Sequence, residues 1–249
     1  MIDGMITVRS QSTRLPEKCF LPFGDCNVIE YVIRRAIHFN INPIVCTTIE
    51  SSDDRIIEIA KKEGVRFYRG SVKDKLVRWR DACRQYSLEK FISIDADDPF
   101  FDGDLSYKSI NSLNNTFDII KHPIQQPNKG FYEGCVGYSI TSNIIEKACE
   151  IKNTDDTEMM WHFVEKVPEV KIGYLEIDDH EIDFPIRLTL DYQEDYWLMN
   201  SLVRILGQNP NREKIINFFM LNPDLYKINW FRNDDYKSAQ VQSINDSNI

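Results

Sequence analysis

The chain reads as a three-layer α/β domain on a mostly parallel sheet with a small inserted segment. Three observations lead there. Short apolar runs of strand character alternate with helix-period segments through the first hundred residues, and such alternation builds a parallel sheet with right-handed crossovers. The 249 residues, 42% of them hydrophobic, are enough for one large core. Polar or charged clusters directly follow several strand candidates, at the edge where open α/β sheets bind ligands.

Taken in order, Met5–Val8 is the first strand. It runs into RSQSTRLPEK, Arg9 to Lys18, where Pro16 keeps a helix from starting at once. Val28 to Asn40 places Val28, Ile29, Val32, Ile33, Ala36 and Ile37 at helical spacing. Pro43–Thr48 is a buried strand. Ser52 is placed to cap the next helix, with Asp53 and Asp54 in its positive first turn. That helix carries Ile56, Ile57, Ile59 and Ala60 and ends at Gly64. Val65–Arg69 is a third strand, Asp74–Tyr86 a third helix and Phe91–Ile94 a fourth strand, which runs into Asp95-Ala96-Asp97-Asp98-Pro99. Residues 123–186 break the rhythm, with strand candidates Cys135–Ser139 and Val170–Ile177 and helical stretches Ser142–Glu150 and Asp156–Val164. They suggest an insertion. Arg187–Leu190 is one more strand of the same sheet, ending at Asp191. Gln193–Leu206 is a helix, and Asn211–Ile228 one or two short ones. The polar stretch 232–249 is expected to be disordered, leaving a single domain over 1–231.

The net charge is -9 and the pI about 5.0, which argues against wrapping nucleic acid, where phosphate contacts dominate affinity. No run has the length and apolarity of a membrane span, and the N-terminus lacks a signal peptide's basic head and apolar middle. The expectation is a cytoplasmic protein with no membrane partner. The six cysteines form no C-x-x-C pair and read as small buried hydrophobes. The four histidines lack zinc-site spacing, and neither G-x-G-x-x-G nor a P-loop is present.

The basic loop is the most informative segment. It gathers Arg9, Arg14 and Lys18 with the hydroxyls of Ser10, Ser12 and Thr13, a set that suits a polyphosphate. Alone, it reads equally as a solvated basic loop. Two acidic sites at strand ends tip the balance: Asp95-x-Asp97, closed by Pro99, and Asp191, followed by Glu194 and Asp195. Carboxylates facing a polyphosphate call for a cation between them. Mg2+ fits, held by Asp97 and Asp191 with Asp95 alongside.

These motifs together resemble the bacterial cytidylyltransferases that make CMP-activated sugars: CMP-Kdo synthetase, CMP-sialic acid synthetase and the spore-coat polysaccharide cytidylyltransferase group. Their loop R-x-x-S-x-R-x-P-x-K is met by Arg9, Ser12, Arg14, Pro16 and Lys18. The later Asp-x-Pro is met by Asp97 and Pro99, and the D-x-x-E-D turn by Asp191, Glu194 and Asp195. The spore-coat pattern R-G-S-x-x-D-x-L-x-R-[YW]-x-x-A is met by Arg69, Gly70, Ser71, Asp74, Leu76, Arg78, Trp79 and Ala82. The resemblance spans about residues 5 to 205. Three features depart from it: Glu17 where glycine is frequent, Lys75 where an apolar residue is usual, and no acidic residue between Gly134 and Ser139.

The resemblance implies a nucleotide-diphospho-sugar transferase-like, Rossmann-like fold. It also implies magnesium-dependent transfer of CMP from CTP to a small anionic acceptor, with pyrophosphate leaving against Arg14 and Lys18. Gly70 and Ser71 become candidates for base recognition. Arg78 and Arg187 become candidate substrate contacts, Arg187 toward an acidic acceptor, though it equally reads as the partner of a surface carboxylate. The acceptor is a 2-keto-3-deoxy acid sugar, another surface-polysaccharide sugar or a phosphonate. A homodimer through 123–186 is implied, with Phe131, Tyr132, Trp161, Phe163 and Tyr174 as interface candidates. The competing readings are a nucleotide-sugar-dependent glycosyltransferase using Asp95-x-Asp97 and a non-catalytic nucleotide-binding module.

Overall fold

The computed structural model describes residues 1–122, 134–177 and 185–238. Its strands are β1 (Ile2–Thr7), β2 (Pro22–Phe23), β3 (Cys26–Asn27), β4 (Ile41–Thr48), β5 (Arg66–Gly70), β6 (Lys90–Asp95), β7 (Ile119–Lys121), β8 (Ser139–Thr141) and β9 (Ile172–Tyr174). Its helices are α1 (Val28–His38), α2 (Asp54–Lys62), α3 (Lys75–Tyr86), α4 (Gly103–Ser112), α5 (Ser142–Ile151), α6 (Met160–Glu165), α7 (Gln193–Leu206) and α8 (Arg212–Leu221).

Seven strands form the central sheet in the order β5-β4-β1-β6-β8-β7-β9. β1 lies between β4 and β6, parallel to both, and β5 extends the parallel set. β8 runs antiparallel to β6 and β7. Pleat alternation splits the core between the two faces. Ile6, Val45 and Ile92 pack under α1, α2, α4, α7 and α8. Their neighbours Met5, Ile44, Cys46 and Phe91 pack under α3, α5 and α6.

The helix ends follow local chemistry. The Asn27 side chain accepts from the Glu30 N–H at 2.9 Å, while Glu30 reaches back to the Asn27 N–H at 3.1 Å, a reciprocal cap on α1. Asp74 caps α3 by accepting from Val77 N–H at 3.1 Å. Gly64, at φ +69°, turns the chain out of α2.

Several expectations need correction. Ser52 does not cap α2; it lies in a 3-10 turn over Ser51–Asp53. Arg187–Leu190 is not a strand of the sheet, because β8 already occupies the free side of β6. The segment instead crosses the end of β6, with Leu190 N–H donating to the Asp97 carbonyl at 2.6 Å. The stretch from 134 onward does not stand apart, since β8 and β9 complete the central sheet and α5 and α6 share a core with α3. Helix α4 was not anticipated, although Asp102 caps it through Leu105 N–H at 2.9 Å. Residues 232–238 are helical where disorder was expected. Phe131 and Tyr132 lie outside the described residues.

Candidate active site

The carboxyl ends of β1, β4 and β6 open on one edge, and the basic loop begins there. Asp53 fixes the loop's start. It is 1% exposed, and one carboxylate oxygen accepts from Ser10 N–H at 2.8 Å and Ser10 Oγ at 2.7 Å. The other accepts from Thr47 Oγ1 at 2.9 Å and Thr48 Oγ1 at 2.5 Å. Burial works to raise this carboxyl, and the bonds from Thr48, Ser10 and Thr47 more than offset it, so it stays below the ordinary range. Ser10 thus shapes the loop rather than facing a ligand. Farther along, Leu15 is buried and Glu17 adopts a left-handed φ of 52°, which opens the turn over Lys18–Phe20 and returns Lys18 toward the sheet.

Lys18 ends among three acceptors. Its Nζ lies 2.8 Å from Asp97 Oδ2, 3.0 Å from Asp191 Oδ1 and 2.8 Å from the Leu190 carbonyl. Arg14 Nη2 reaches the same Asp191 oxygen at 2.7 Å. Burial disfavours the Lys18 charge, but Asp97 and Asp191 outweigh it and hold the amine firmly protonated. Lys18 likewise keeps Asp97 ionised against its own burial.

The neighbouring carboxyls are less well compensated. Asp95, Asp97 and Asp98 bring ligand oxygens within 4.8 Å of one another. Asp98 is pushed well up, first by burial and then by the charges of Asp97 and Asp95. Asp95 is raised by burial, with Lys75 Nζ at 3.4 Å working against the rise. This donor set suits a hard divalent cation: oxygen-only, closely spaced and carrying excess negative charge. An ammonium already lies between Asp97 and Asp191.

Behind Asp191 stands a buried network. Arg187 is fully buried; its Nη2 is 3.2 Å from Asp191 Oδ2 and its Nε 3.0 Å from Asp195 Oδ1. Asp195 also accepts from the N–H groups of Asp191 and Tyr192, each at 2.9 Å. Arg187 therefore orients Asp191 and does not face the site. Arg78, 2% exposed, donates to the Ser71 carbonyl at 2.6 Å and holds the Gly70–Val72 loop. It too supports the site rather than lining it. A Cβ on Gly70 would meet the Tyr68 ring at 2.8 Å, so that loop packs tightly on its own strand. Arg9 is half-exposed, 3.6 Å from Glu158. Sequence reasoning missed Thr157 and the C-terminal residues Asn229, Asn233 and Tyr236 as parts of this surround, and saw Asp53 only as an acid in the first turn of a helix.

A cationic loop after the first strand, facing carboxylates at the carboxyl edge of a parallel sheet, is the layout of a nucleotidyltransferase. The family model described as cytidylyltransferase matches residues 4–198. The chain belongs to that family. It is similar to an uncharacterized protein of Methanocaldococcus jannaschii, 30% identical over 92% of this chain and 94% of the relative. It also matches the spore coat polysaccharide biosynthesis protein SpsF of Bacillus subtilis, 23% identical over 88% of this chain and 94% of that one. Among solved structures, a cytidylyltransferase from Leptospira borgpetersenii superposes with a TM-score of 0.80 at 26% identity, covering 90% of this chain and 96% of the other. Family membership sets aside the glycosyltransferase reading.

Proposed function

We propose that this cytidylyltransferase carries CMP from CTP to a small anionic acceptor, a sugar acid or a phosphate or phosphonate, and releases pyrophosphate. The observation that carries the reading is the Lys18 ammonium bridging Asp97 and Asp191, with Arg14 on the same carboxylate. These two cations choose between carboxylates and phosphate oxygens. A triphosphate draws them to its leaving end and frees Asp97 and Asp191. Those two residues, with Asp95 beside them, would hold Mg2+, which when bound neutralises charge on the reacting phosphate and acceptor oxygens. Arg187 and Asp195 keep Asp191 oriented meanwhile. The Gly70–Ser71 loop, fixed by Arg78, is placed to read the base, and Arg9 and Ser12 flank the phosphates.

The match to the spore coat polysaccharide biosynthesis protein supports a place in surface polysaccharide synthesis; the proposed setting is the cytoplasm. Pairing through residues of the 123–186 stretch completes the reading. A coupled pyrophosphate assay with each of the four nucleoside triphosphates, a divalent cation and a panel of sugar acids and phosphonates tests it. Release with CTP alone is expected. Equal release with ATP or GTP would overturn the choice of nucleotide.

A further inference from the structure

Residues 229–238 lie beyond the matched residues 4–198, yet they build part of the wall behind Asp191. Asn229 Nδ2 donates to Asp195 Oδ1 at 2.8 Å and to the Arg187 carbonyl at 2.9 Å. Arg187 Nη1 donates to Asn233 Oδ1 at 3.1 Å. Both asparagines are buried. Arg232 grips Glu194, in the first turn of α7, with two nitrogens at 2.9 and 3.0 Å. These contacts fix the direction of the short helix over 232–238, and with it Tyr236.

The Tyr236 ring lies 5.4 Å from the Arg14 guanidinium carbon and 5.1 Å from that of Arg187. The Tyr192 ring lies 5.5 Å from Arg14. Arg187 is already locked by two carboxylates. Arg14 is not: its side chain is one-third exposed and, among the described residues, pairs with the carboxylate of Asp191. A long arginine at the mouth of a loop loses entropy when ordered, so a site that needs it in one orientation gains from an aromatic face beside it.

We propose that Tyr236 is a positioning residue for the triphosphate: its ring, beside Arg14 while that guanidinium rests on Asp191, keeps it ordered at the mouth of the loop, within reach of an incoming phosphate chain, making the C-terminal helix a working wall of the nucleotide site. The inference rests on the CTP reading above. Calorimetry with CTP and with CMP, each with magnesium, tests it without any acceptor or turnover. The unsubstituted protein binds CTP more tightly than CMP. Tyr236→Ala lowers CTP affinity about three- to tenfold, the range of one partly buried cation–π contact, and shifts CMP less than about twofold. Tyr236→Phe keeps the ring and stays near the original values. Arg232→Ala, which loosens the helix, moves in the direction of Tyr236→Ala.

If Tyr236→Ala melts early, Tyr236→Leu keeps the bulk without the π face and should show the same selective loss. An unchanged CTP-to-CMP ratio in both variants, in a protein that binds CTP, overturns the proposal. So does a Tyr236→Phe variant as weak as Tyr236→Ala, because the hydroxyl and not the ring would then be acting. Failure of the unsubstituted protein to bind CTP overturns the substrate reading itself, a different result.

Discussion

Asp97 and Asp191 share one lysine but sit in different surroundings, and substitution should separate them. The Asp97 side chain is 29% exposed and Asp191 only 2%. Asp97→Asn and Asp191→Asn are each expected to lower turnover by about a hundredfold or more, since each removes a charge from the candidate metal site. Asp191→Asn should also cost stability, by about 1–3 kcal/mol, because the fully buried Arg187 loses a charged partner. Thermal melting beside the rate assay checks both claims. Normal turnover in either variant removes that residue from the site, and equal melting temperatures would mean that the remaining partners of Arg187, Asp195 among them, suffice to hold it.

Asp53 gives a pH prediction. Its folded carboxyl lies below its ordinary value, so the stability it contributes is complete above the unfolded value of about 3.9 and is lost as pH falls through the folded one. Asp53→Asn should flatten the acid limb of the stability curve, and Asp53→Ala should cost about 2–4 kcal/mol by leaving buried hydroxyls and N–H groups unpaired. Denaturant titrations from pH 2 to 7 measure both; an unaltered acid limb in Asp53→Asn would mean another carboxyl dominates. The sequence showed Asp53 only as an acid in a helix's first turn, because its partners Ser10, Thr47 and Thr48 meet it only once β1 and β4 pair. Glu17 was legible only as a departure from glycine. Its φ of 52° gives the reason glycine suits that place: L-residues resist left-handed backbone.

At the level of elements, periodicity served the first half of the chain well. α1, α3 and α7 start and end within two residues of their sequence readings, because each pairs an apolar stripe with an end signal. Arg187–Leu190 misled because its alternation of apolar and polar residues also suits an extended segment lying across a strand end. Strand pairing is a nonlocal choice that no local pattern encodes. The same holds for the tie between α3 and the 152–159 loop. Thr157 Oγ1 donates to Asp74 Oδ1 at 2.8 Å and accepts from Leu76 N–H at 2.9 Å, while Lys152 Nζ reaches Asp74 Oδ2 at 2.6 Å. Thr157→Val keeps the shape and removes both bonds. It should cost about 1–3 kcal/mol for the buried N–H left without its acceptor. CTP affinity should fall as well, since the start of α3 holds the Gly70–Ser71 loop. Urea unfolding and CTP titration decide; a stability loss with unchanged CTP affinity would detach this tie from the nucleotide site.

For the whole molecule, the two edge strands of the sheet, among the described residues, differ in character. β5 is one edge strand and carries Arg66 and Arg69, charges of the kind that discourage edge pairing. β9 is the other, and it leaves Tyr174 49% exposed. Of the aromatics expected at an interface, Phe163 is 3% exposed and belongs to this chain's own core with α3 and α5, and Trp161 stacks on His162 with ring centroids 3.6 Å apart. Tyr174 is the exposed one of the expected aromatics that fall within the described residues. A homodimer joined across the β9 edge follows from the proposed reading, two-fold pairing being the commonest assembly. Light scattering at micromolar concentration should give about twice the 29.3 kDa of one chain, and Tyr174→Glu should shift the mass to that of the monomer while CTP binding persists. Trp197, 57% exposed on α7, provides the contrast: a dimer that survives Tyr174→Glu but parts with Trp197→Glu would move the interface to α7, and a single-chain mass for the unsubstituted protein would remove it altogether.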